Sequence, residues 1–465
     1  MSKAVTFHNP DLRFDYYIIV PHPRQPAVLM LPGEHGWSLP HFVSEEHHFG
    51  VIGHISKTVS SRLGLAVTVL RCVYDVYDQE ANTVNAVYLL ENHFERWEPP
   101  AGAAWVSRDD LGRLSLQTPE HRATLDDWFD EVEAGELPPS RAPWARPGWF
   151  GRASAWIHIQ LHARGLQPTG PIEQMKNWGI SCILKAPTTR GDVYFKAAPE
   201  FLTNEPALVK VLAEDLPLFF PEVLAVDGAR RWMLTLNMGG KTLSAIQELE
   251  LWEEAMRLYA RIQLSWVERS QELLALSCPP RDLETLQTQT DSLLADTRAL
   301  RMGSNYGLSD LEIEELRNYA PTLKAMCEEL AGFGIPYTLE HGDFWGGNIT
   351  VTDNRFIFFD WTDSCVAHPF FSLGALAPDQ DYMPTVPGAA LCLRDAYLRE
   401  WADYGAEWEL LKAFELAQPL GFLHSALTHY KYVLPGLEPK ARWEMENMVG
   451  FYLRLVLEYK SHRAT

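Results

Sequence analysis

Long apolar runs are missing. No stretch of the 465 residues approaches the ~20 consecutive apolar positions of a bilayer-spanning helix. Cysteine is scarce: Cys72, Cys182, Cys278, Cys327, Cys365 and Cys392 stand apart, with no pair at metal-ligand spacing. That pattern excludes a disulfide frame and a zinc site, and fits reduced thiols in a cytoplasmic protein. Positive charge is in deficit, 40 Lys and Arg against 61 Asp and Glu, giving a formal net charge of −21 without any basic cluster. Such a chain repels phosphate backbones, so neither nucleic acid nor a membrane surface is an expected partner. The opening MSKAVTFHNPDLRFDYY lacks the basic flank and apolar stretch of a signal peptide. Internal repeats and low-complexity tracts are absent too.

What is present is enough for sizeable cores: 46% of residues are hydrophobic and 22% charged, over a length that suits two or three domains. The clearest break is GELPPSRAPWARPGWF, whose prolines remove amide donors and disfavour helix before them. Its tryptophans Trp144 and Trp149 predict a segment packed on a domain surface. The expected division is therefore 1–134, a linker at 135–150, a small strand-rich lobe at 151–240 and a helical lobe at 241–465. Ahead of the linker, Tyr16–Val20, Ala27–Leu31, Leu65–Tyr77 and Val84–Glu91 read as strands. A helix over Gly50–Leu63 closes on Gly64, and another spans Pro119–Glu133. Beyond it, Ser181–Ala186, Asp192–Ala197, Glu222–Asp227 and Arg231–Leu236 read as short strands. From Leu243 the pattern turns helical: Trp252, Met256, Tyr259, Gln263 and Trp266 share one stripe, a core face. The fold class is α/β and α+β, with a cleft expected between a sheet unit and a larger helical unit.

One segment interrupts the helices, LEHGDFWGGNITVTDNRFIFFDWTDS at 339–364. Ile349–Val351 and Arg355–Phe359 read as a hairpin around Thr352-Asp353-Asn354. Folding it about Asn354 places Asn348 and Asp360 side by side at its open end, with Asp343 on the incoming loop. One carboxylate and one amide suit Mg²⁺, which takes hard oxygen ligands and keeps sites for water and phosphate. The other carboxylate is then available for the proton of an attacking hydroxyl. Taken singly, each of the three more simply caps a turn; their joint spacing carries the signal. In the strand VYFKAA, alternation sets Val193 and Phe195 against Tyr194 and Lys196, directing the Lys196 ammonium to the cleft and nucleotide phosphates. Glu205 opens the next helix, behind Asn204 as a cap and ahead of Pro206, where it can hold that ammonium.

From about residue 170 to 375 the chain resembles the aminoglycoside phosphotransferase and choline kinase family, small-molecule relatives of protein kinases, chiefly through HGDFWGGN and IFFDW, with FKA and NEP looser. The resemblance implies a bilobal kinase-like fold and transfer from ATP, with Mg²⁺, to a hydroxyl-bearing small molecule. It implies that Asp343 orients or deprotonates the acceptor, that Asn348 and Asp360 ligate Mg²⁺, that Lys196 binds phosphates and that Glu205 orients Lys196. More loosely, Ser181 bonds a phosphate and backbone groups from Leu236 to Met238, in LTLNMGGKTL, bind adenine, with Gly239 and Gly240 letting the lobes move. The relatives' aspartate after the DW is here Ser372, in HPFFSL. His341 and His368 read as hydrogen-bonding struts.

The N-terminal region resembles a Nudix fold through AVLMLPGEHGWSLPHF and AAWVSRDDLGRL, a mixed α/β unit. With the box glycine on Gly64, Lys57, Thr58, Ser61 and Arg62 stand where Arg-Glu-x-x-Glu-Glu belongs and Phe49 at the upstream glutamate, so the metal-binding acids are gone and pyrophosphohydrolysis through that helix is not expected. His35, His41, His47, His48 and His54, with Glu45 and Glu46, read as a surface loop and not a metal site. The leading expectation is an ATP-dependent small-molecule kinase. The alternative is a catalytically silent kinase-like binder of nucleotide or metabolite, regulated through its Nudix-like unit. An acidic helical lobe favours cationic acceptors such as aminoglycosides or choline, with Asp363, Asp379 and Asp381 placed to line their pocket. No oligomeric state follows from the sequence.

Overall fold

A computed structural model describes residues 12–46, 48–94, 96–303, 307–353, 355–376 and 383–464. His47, Asn354, Asp379 and Asp381 lie outside the described residues. The chain divides into two compact units, one running to Ala197 and taking in Leu437–Ala441, the other from Ala198 to Gly436 and again from Arg442. Among the described residues no helix is long and apolar enough to cross a membrane. None of the six cysteines, all of them among the described residues, forms a disulfide.

The first unit is built on a four-stranded sheet. Arg13–Ile19 runs antiparallel to His41–Ser44 and parallel to Thr83–Asn92, which in turn pairs antiparallel with Val67–Asp78. A second sheet joins Gly36–Ser38, Ala27–Gly33 and Ala104–Ser107. Ile19, Met30, Val87 and Leu89 pack with Trp128 and Phe129 of the helix His121–Ala134 in one apolar core. The expected cap at Gly64 is realised at φ 66°, and Gly135 ends its helix in the same way at 68°, conformations that a Cβ disfavours. Three histidines of the N-terminal cluster have local partners. His41 Nε2 meets Asp15 Oδ1 at 2.9 Å, His54 Nε2 meets Ser44 Oγ at 3.0 Å, and His48 Nδ1 accepts from the Gly50 amide.

The proline-rich segment is welded into the same unit. Trp144 and Trp149 are buried, and the Trp144 indole donates to the Trp178 carbonyl at 2.7 Å. Arg141, 2% exposed at its side chain, is clamped between Glu131 and Glu438. Beyond it, Glu173–Trp178, Ser181–Thr188 and Gly191–Ala197 form an antiparallel trio. Strand Val67–Asp78 shifts register between Val69 and Arg71, and Gln174 and Asn177 take the backbone groups freed there. The Gln174 amide both accepts from Val69 N and donates to Val69 O, at 2.7 and 2.9 Å, and Asn177 donates to Val69 O and Leu70 O. Buried amide-to-backbone bonds of this kind leave no polar group orphaned, which is why a sequence break is here no structural break.

The second unit opens with the helix Glu205–Asp215 and the hairpin Val223–Asp227 with Trp232–Leu236. Asn204 precedes that helix without capping it; its side chain donates instead to the Gly228 carbonyl at 3.1 Å. Helices Leu249–Leu264, Leu283–Ala295, Asp310–Gly332, Ala389–Glu400, Glu407–Thr428 and Asn447–Ala464 make up most of the rest. The capping box at Ser309, with Glu312 returning to the Ser309 amide, starts the longest of them. The stripe of Trp252, Met256, Tyr259 and Gln263, with Trp266 beyond the helix, is buried as the spacing predicts. Two small ladders sit among these helices: Thr338–Glu340 with Cys365–Ala367, and Lys241–Thr242 with the hairpin Ile349–Thr352 and Arg355–Phe358.

Candidate active site

The strand Thr338–Glu340 delivers the chain into His341-Gly342-Asp343. Gly342 has φ 78°, and a Cβ there would stand 2.2 Å from the Asp363 carbonyl oxygen, so only glycine fits this close approach. Phe344 stacks on Tyr259 with ring centroids 4.0 Å apart, and the Tyr259 hydroxyl accepts from the His341 amide at 3.2 Å. A residue that helical spacing marks only as core thus also fixes the loop.

The Asn348 side-chain amide donates to the Asp343 carbonyl at 2.8 Å and to Asp343 Oδ2 at 3.1 Å. Both partners are acceptors, so Asn348 Oδ1 is the atom turned away from the loop. The hairpin brings in Asp360, though in a different register from the one counted about Asn354. Ile349 faces Phe358, and the Phe359 amide donates to the Asn348 carbonyl at 3.0 Å, so Asn348 stands opposite Phe359 and Asp360 lies one residue farther on. The turn centre falls after Asp353 (φ 48°), half a residue earlier than counted, and Asp360 itself takes φ 65° as the chain leaves the ladder. The Asp343 and Asp360 carboxylates both act on the buried His341 ring, opposing the fall that burial imposes on its pKa. Burial, and the charges of Asp343 and Asp360, raise the Asp363 carboxyl to about 6. Asp343, Asp360 and Asp363 thus lie within electrostatic reach of one another, although among the described residues no group of three or more acidic, histidine or cysteine side chains is close enough to hold a metal by itself.

His341 holds this group together. Its Nε2 meets the Phe359 carbonyl at 3.0 Å and its Nδ1 accepts from the Asp343 amide at 3.4 Å, which selects the neutral Nε2–H tautomer. His368, driven to about 3 by burial, accepts from the Phe370 amide. Both are struts. Glu205, 1% exposed, accepts from the Trp361 amide at 2.9 Å and from Thr362 Oγ1 at 2.8 Å, while Thr362 Oγ1 also reaches Asp360 Oδ1 at 3.3 Å. The helix that Glu205 opens is thereby tied to the residues following Asp360. Gly240, with φ 74°, answers to close packing: a Cβ would meet the Val351 carbonyl oxygen at 2.2 Å. Leu236 and Met238 stand half-buried just ahead of it. Lys196 and Ser181 belong to the other compact unit. There Val193 and Phe195 are buried while Tyr194 and Lys196 are half-exposed, as alternation predicts, and Ser181 accepts the Trp178 indole N–H at 2.6 Å.

Sequence reasoning missed a buried polar cluster behind the loop. Glu340, 1% exposed, accepts from Ser372 Oγ, from the Gly342 amide at 3.3 Å and from Gln263 Nε2 at 3.3 Å, and Ser372 Oγ lies 2.5 Å from the Tyr259 hydroxyl. Tyr397 closes the cluster by donating to Gln263 Oε1. A carboxyl thus occupies the neighbourhood of position 372, contributed by the strand before the loop. Burial raises Glu340 from 4.5 to about 8, against the hydrogen bonds it accepts. The folded chain then holds a proton that the unfolded chain releases between those values, so the contribution is complete below the unfolded pKa and is lost as pH rises through the folded one. Urea unfolding across pH is expected to show the parent losing ~1–3 kcal/mol relative to Glu340→Gln over that window, most of it by pH 8. Parallel profiles for the two proteins would contradict it.

Residues 188–424, just over half of the chain, match the phosphotransferase enzyme family. Among curated proteins no sequence match was found. Solved structures similar to this chain include a choline kinase of Cryptosporidium parvum, 10% identical over 66% of this chain and 96% of that one at a TM-score of 0.48. Others are a choline kinase of Streptococcus pneumoniae, 12% identical over 66% and 99% at 0.45, and a spectinomycin phosphotransferase with ADP and spectinomycin, 9% identical over 65% and 98% at 0.43. The family match takes in the loop at Asp343, the hairpin with Asn348 and Asp360, and the helix opened by Glu205, all on the mixed α/β, kinase-like fold expected of this region. The chain belongs to the phosphotransferase enzyme family.

Proposed function

We propose that the chain transfers the γ-phosphoryl group of ATP, with Mg²⁺, to a hydroxyl of a small molecule. The observation that carries this reading is the meeting of Asp343 and Asn348 through the Asn348 amide, with Asp360 one residue past the last paired position of the hairpin. The donor set suits magnesium: one amide oxygen turned outward and one carboxylate, with the remaining coordination left to water and phosphate. Mg²⁺ held there would neutralise charge on the phosphate oxygens. Asp343 orients the acceptor hydroxyl and takes its proton, since transfer of this kind needs alignment and charge neutralisation more than covalent chemistry. Lys196 pairs with the phosphates, Glu205 orients Lys196, and backbone groups from Leu236 to Met238 edge the adenine. Ser181, its oxygen taken by Trp178, keeps its O–H to donate to a phosphate.

Cationic acceptors follow from the net charge of −21, aminoglycoside- or choline-like amines among them. The residues before 135 act as a Nudix-like unit with a structural or gating role. Its helix Gly53–Leu63 contains no acidic residue to hold a metal. Silent nucleotide or metabolite binding would be favoured by Ser372, were the cluster around it without a carboxyl; Glu340 supplies one. The test is ATP turnover with Mg²⁺ over a panel of hydroxylated amines and a metabolite extract. Phosphorylated product in at least one case, dependent on Mg²⁺, is the expected result. Tight ATP binding with no product from any acceptor would favour the silent binder.

A further inference from the structure

The second unit buries a guanidinium with no carboxylate in ion-pair contact among the described residues; its charge acts at longer range on Asp363, opposing the rise that burial imposes on that carboxyl. Arg281 is 5% exposed and forms no ion pair among the described residues. Its Nη1 donates to Thr428 Oγ1 at 2.7 Å, its guanidinium lies 4.8 Å from the centre of the Tyr432 ring, and its Nε has no acceptor. Buried charge is ordinarily paired, because desolvation of an isolated ion costs several kcal/mol. A small, half-open cleft lies against this side chain, lined also by Thr285, Gln289, His424, Thr428 and Tyr432. His424 adds no charge, since burial and the adjacent guanidinium hold it near 3. Asp282 is the one acid on the lining; its Oδ1 accepts from the Thr285 amide at 2.7 Å, capping the helix Leu283–Ala295.

We propose that this cleft binds a small monovalent anion, a halide or a carboxylate group, as the missing counter-charge of Arg281. The hydroxyls of Thr285 and Tyr432 and the Gln289 amide supply further donors, while the Thr428 O–H is committed to the His424 carbonyl at 3.0 Å. A single charge fits best, because one guanidinium faces the occupant while the Asp282 carboxylate would repel a dianion. The site is distinct from the one around Asp343 and backs onto its scaffold. The Arg281 amide donates to the Val366 carbonyl at 2.9 Å, and the Val366 amide to Pro279 at 2.9 Å. Val366 lies on the strand paired with Thr338–Glu340, which leads into the loop. Occupancy therefore stabilises the ladder that carries His341-Gly342-Asp343.

The experiment follows thermal unfolding of the full chain at constant ionic strength while bulky isethionate is replaced by bromide or, separately, by formate. A saturable rise in Tm of a few degrees is expected in at least one series, the two arms separating a spherical from a planar occupant. Gln289→Glu, which tethers a carboxylate in the cleft, should raise Tm in isethionate alone and remove the response. Arg281→Met should also lose it; if that variant does not fold, Gln289→Glu decides. No saturating shift with either anion, or a parent-like response in Gln289→Glu, overturns the proposal.

Discussion

Asp343→Ala is expected to lower phosphoryl transfer by about 10²–10⁴-fold, the usual worth of a positioned general base, while nucleotide affinity stays close to that of the parent. The geometry separates the two effects. The Asn348 amide is held by the Asp343 backbone carbonyl at 2.8 Å as well as by Oδ2 at 3.1 Å. Truncating the carboxylate removes the second bond and keeps the first. The loop keeps its other supports, the His341 amide on the Tyr259 hydroxyl and Phe344 stacked on the same ring. A fall in kcat without a matching fall in Tm or ATP affinity therefore reports chemistry and not collapse. Asp343→Asn sharpens the test, since it keeps the shape and discards the proton acceptor. Initial rates and calorimetric ATP titration on both variants are the measurements. Parent-like transfer by either would move the role elsewhere, with Asp363, whose carboxyl is raised to about 6, the first candidate.

The hairpin and its flanks were legible in the sequence because their chemistry is local. Alternation and the Thr352-Asp353 turn each follow from what two or three neighbouring residues permit, whereas Gly342 and Gly240 answer to the distant carbonyls of Asp363 and Val351. The register missed by one position for the same reason: turn geometry, not symmetry about a chosen residue, sets which residues pair. What spacing could not reveal were bonds between distant segments. Gln263 and Tyr259 lie on an apolar stripe, and no periodicity distinguishes a core tyrosine from one whose hydroxyl supports a loop 82 residues away. Glu340 next to the His-Gly-Asp run was readable as an unusual buried acid only once Ser372, 32 residues later, was known to touch it. Likewise the proline-rich segment announces a boundary, whereas the tertiary bonds of Gln174, Asn177 and Trp144 erase it.

Glu205 offers the sharper test of how the site is built, because it has two candidate tasks with different signatures. As the orienting partner of Lys196 it would act on the nucleotide. As a tether it accepts from the Trp361 amide and the Thr362 hydroxyl, in a neighbourhood where Trp361 is 0% exposed and Thr362 4%. Alanine would take this acceptor from the buried Trp361 amide, at ~1–3 kcal/mol, and shift the Thr362 hydroxyl onto Asp360 Oδ1, which it already reaches at 3.3 Å, so Glu205→Ala is expected to lose about 1–4 kcal/mol in urea unfolding. The damage should reach the proposed Mg²⁺ position, since Asp360 directly precedes Trp361 and holds φ 65°. The concentration of Mg²⁺ giving half-maximal rate is therefore expected to rise together with the fall in kcat. Glu205→Gln retains one carbonyl acceptor for the Trp361 amide, and the Thr362 hydroxyl can turn to accept from the new NH₂ group. It should keep most of the stability and of the Mg²⁺ response while losing the charge that Lys196 would need. A glutamine variant with parental stability but strongly weakened ATP use assigns Glu205 to the lysine. One that is parental in both leaves the tether as its task, and a stable alanine variant would show that the tether contributes little.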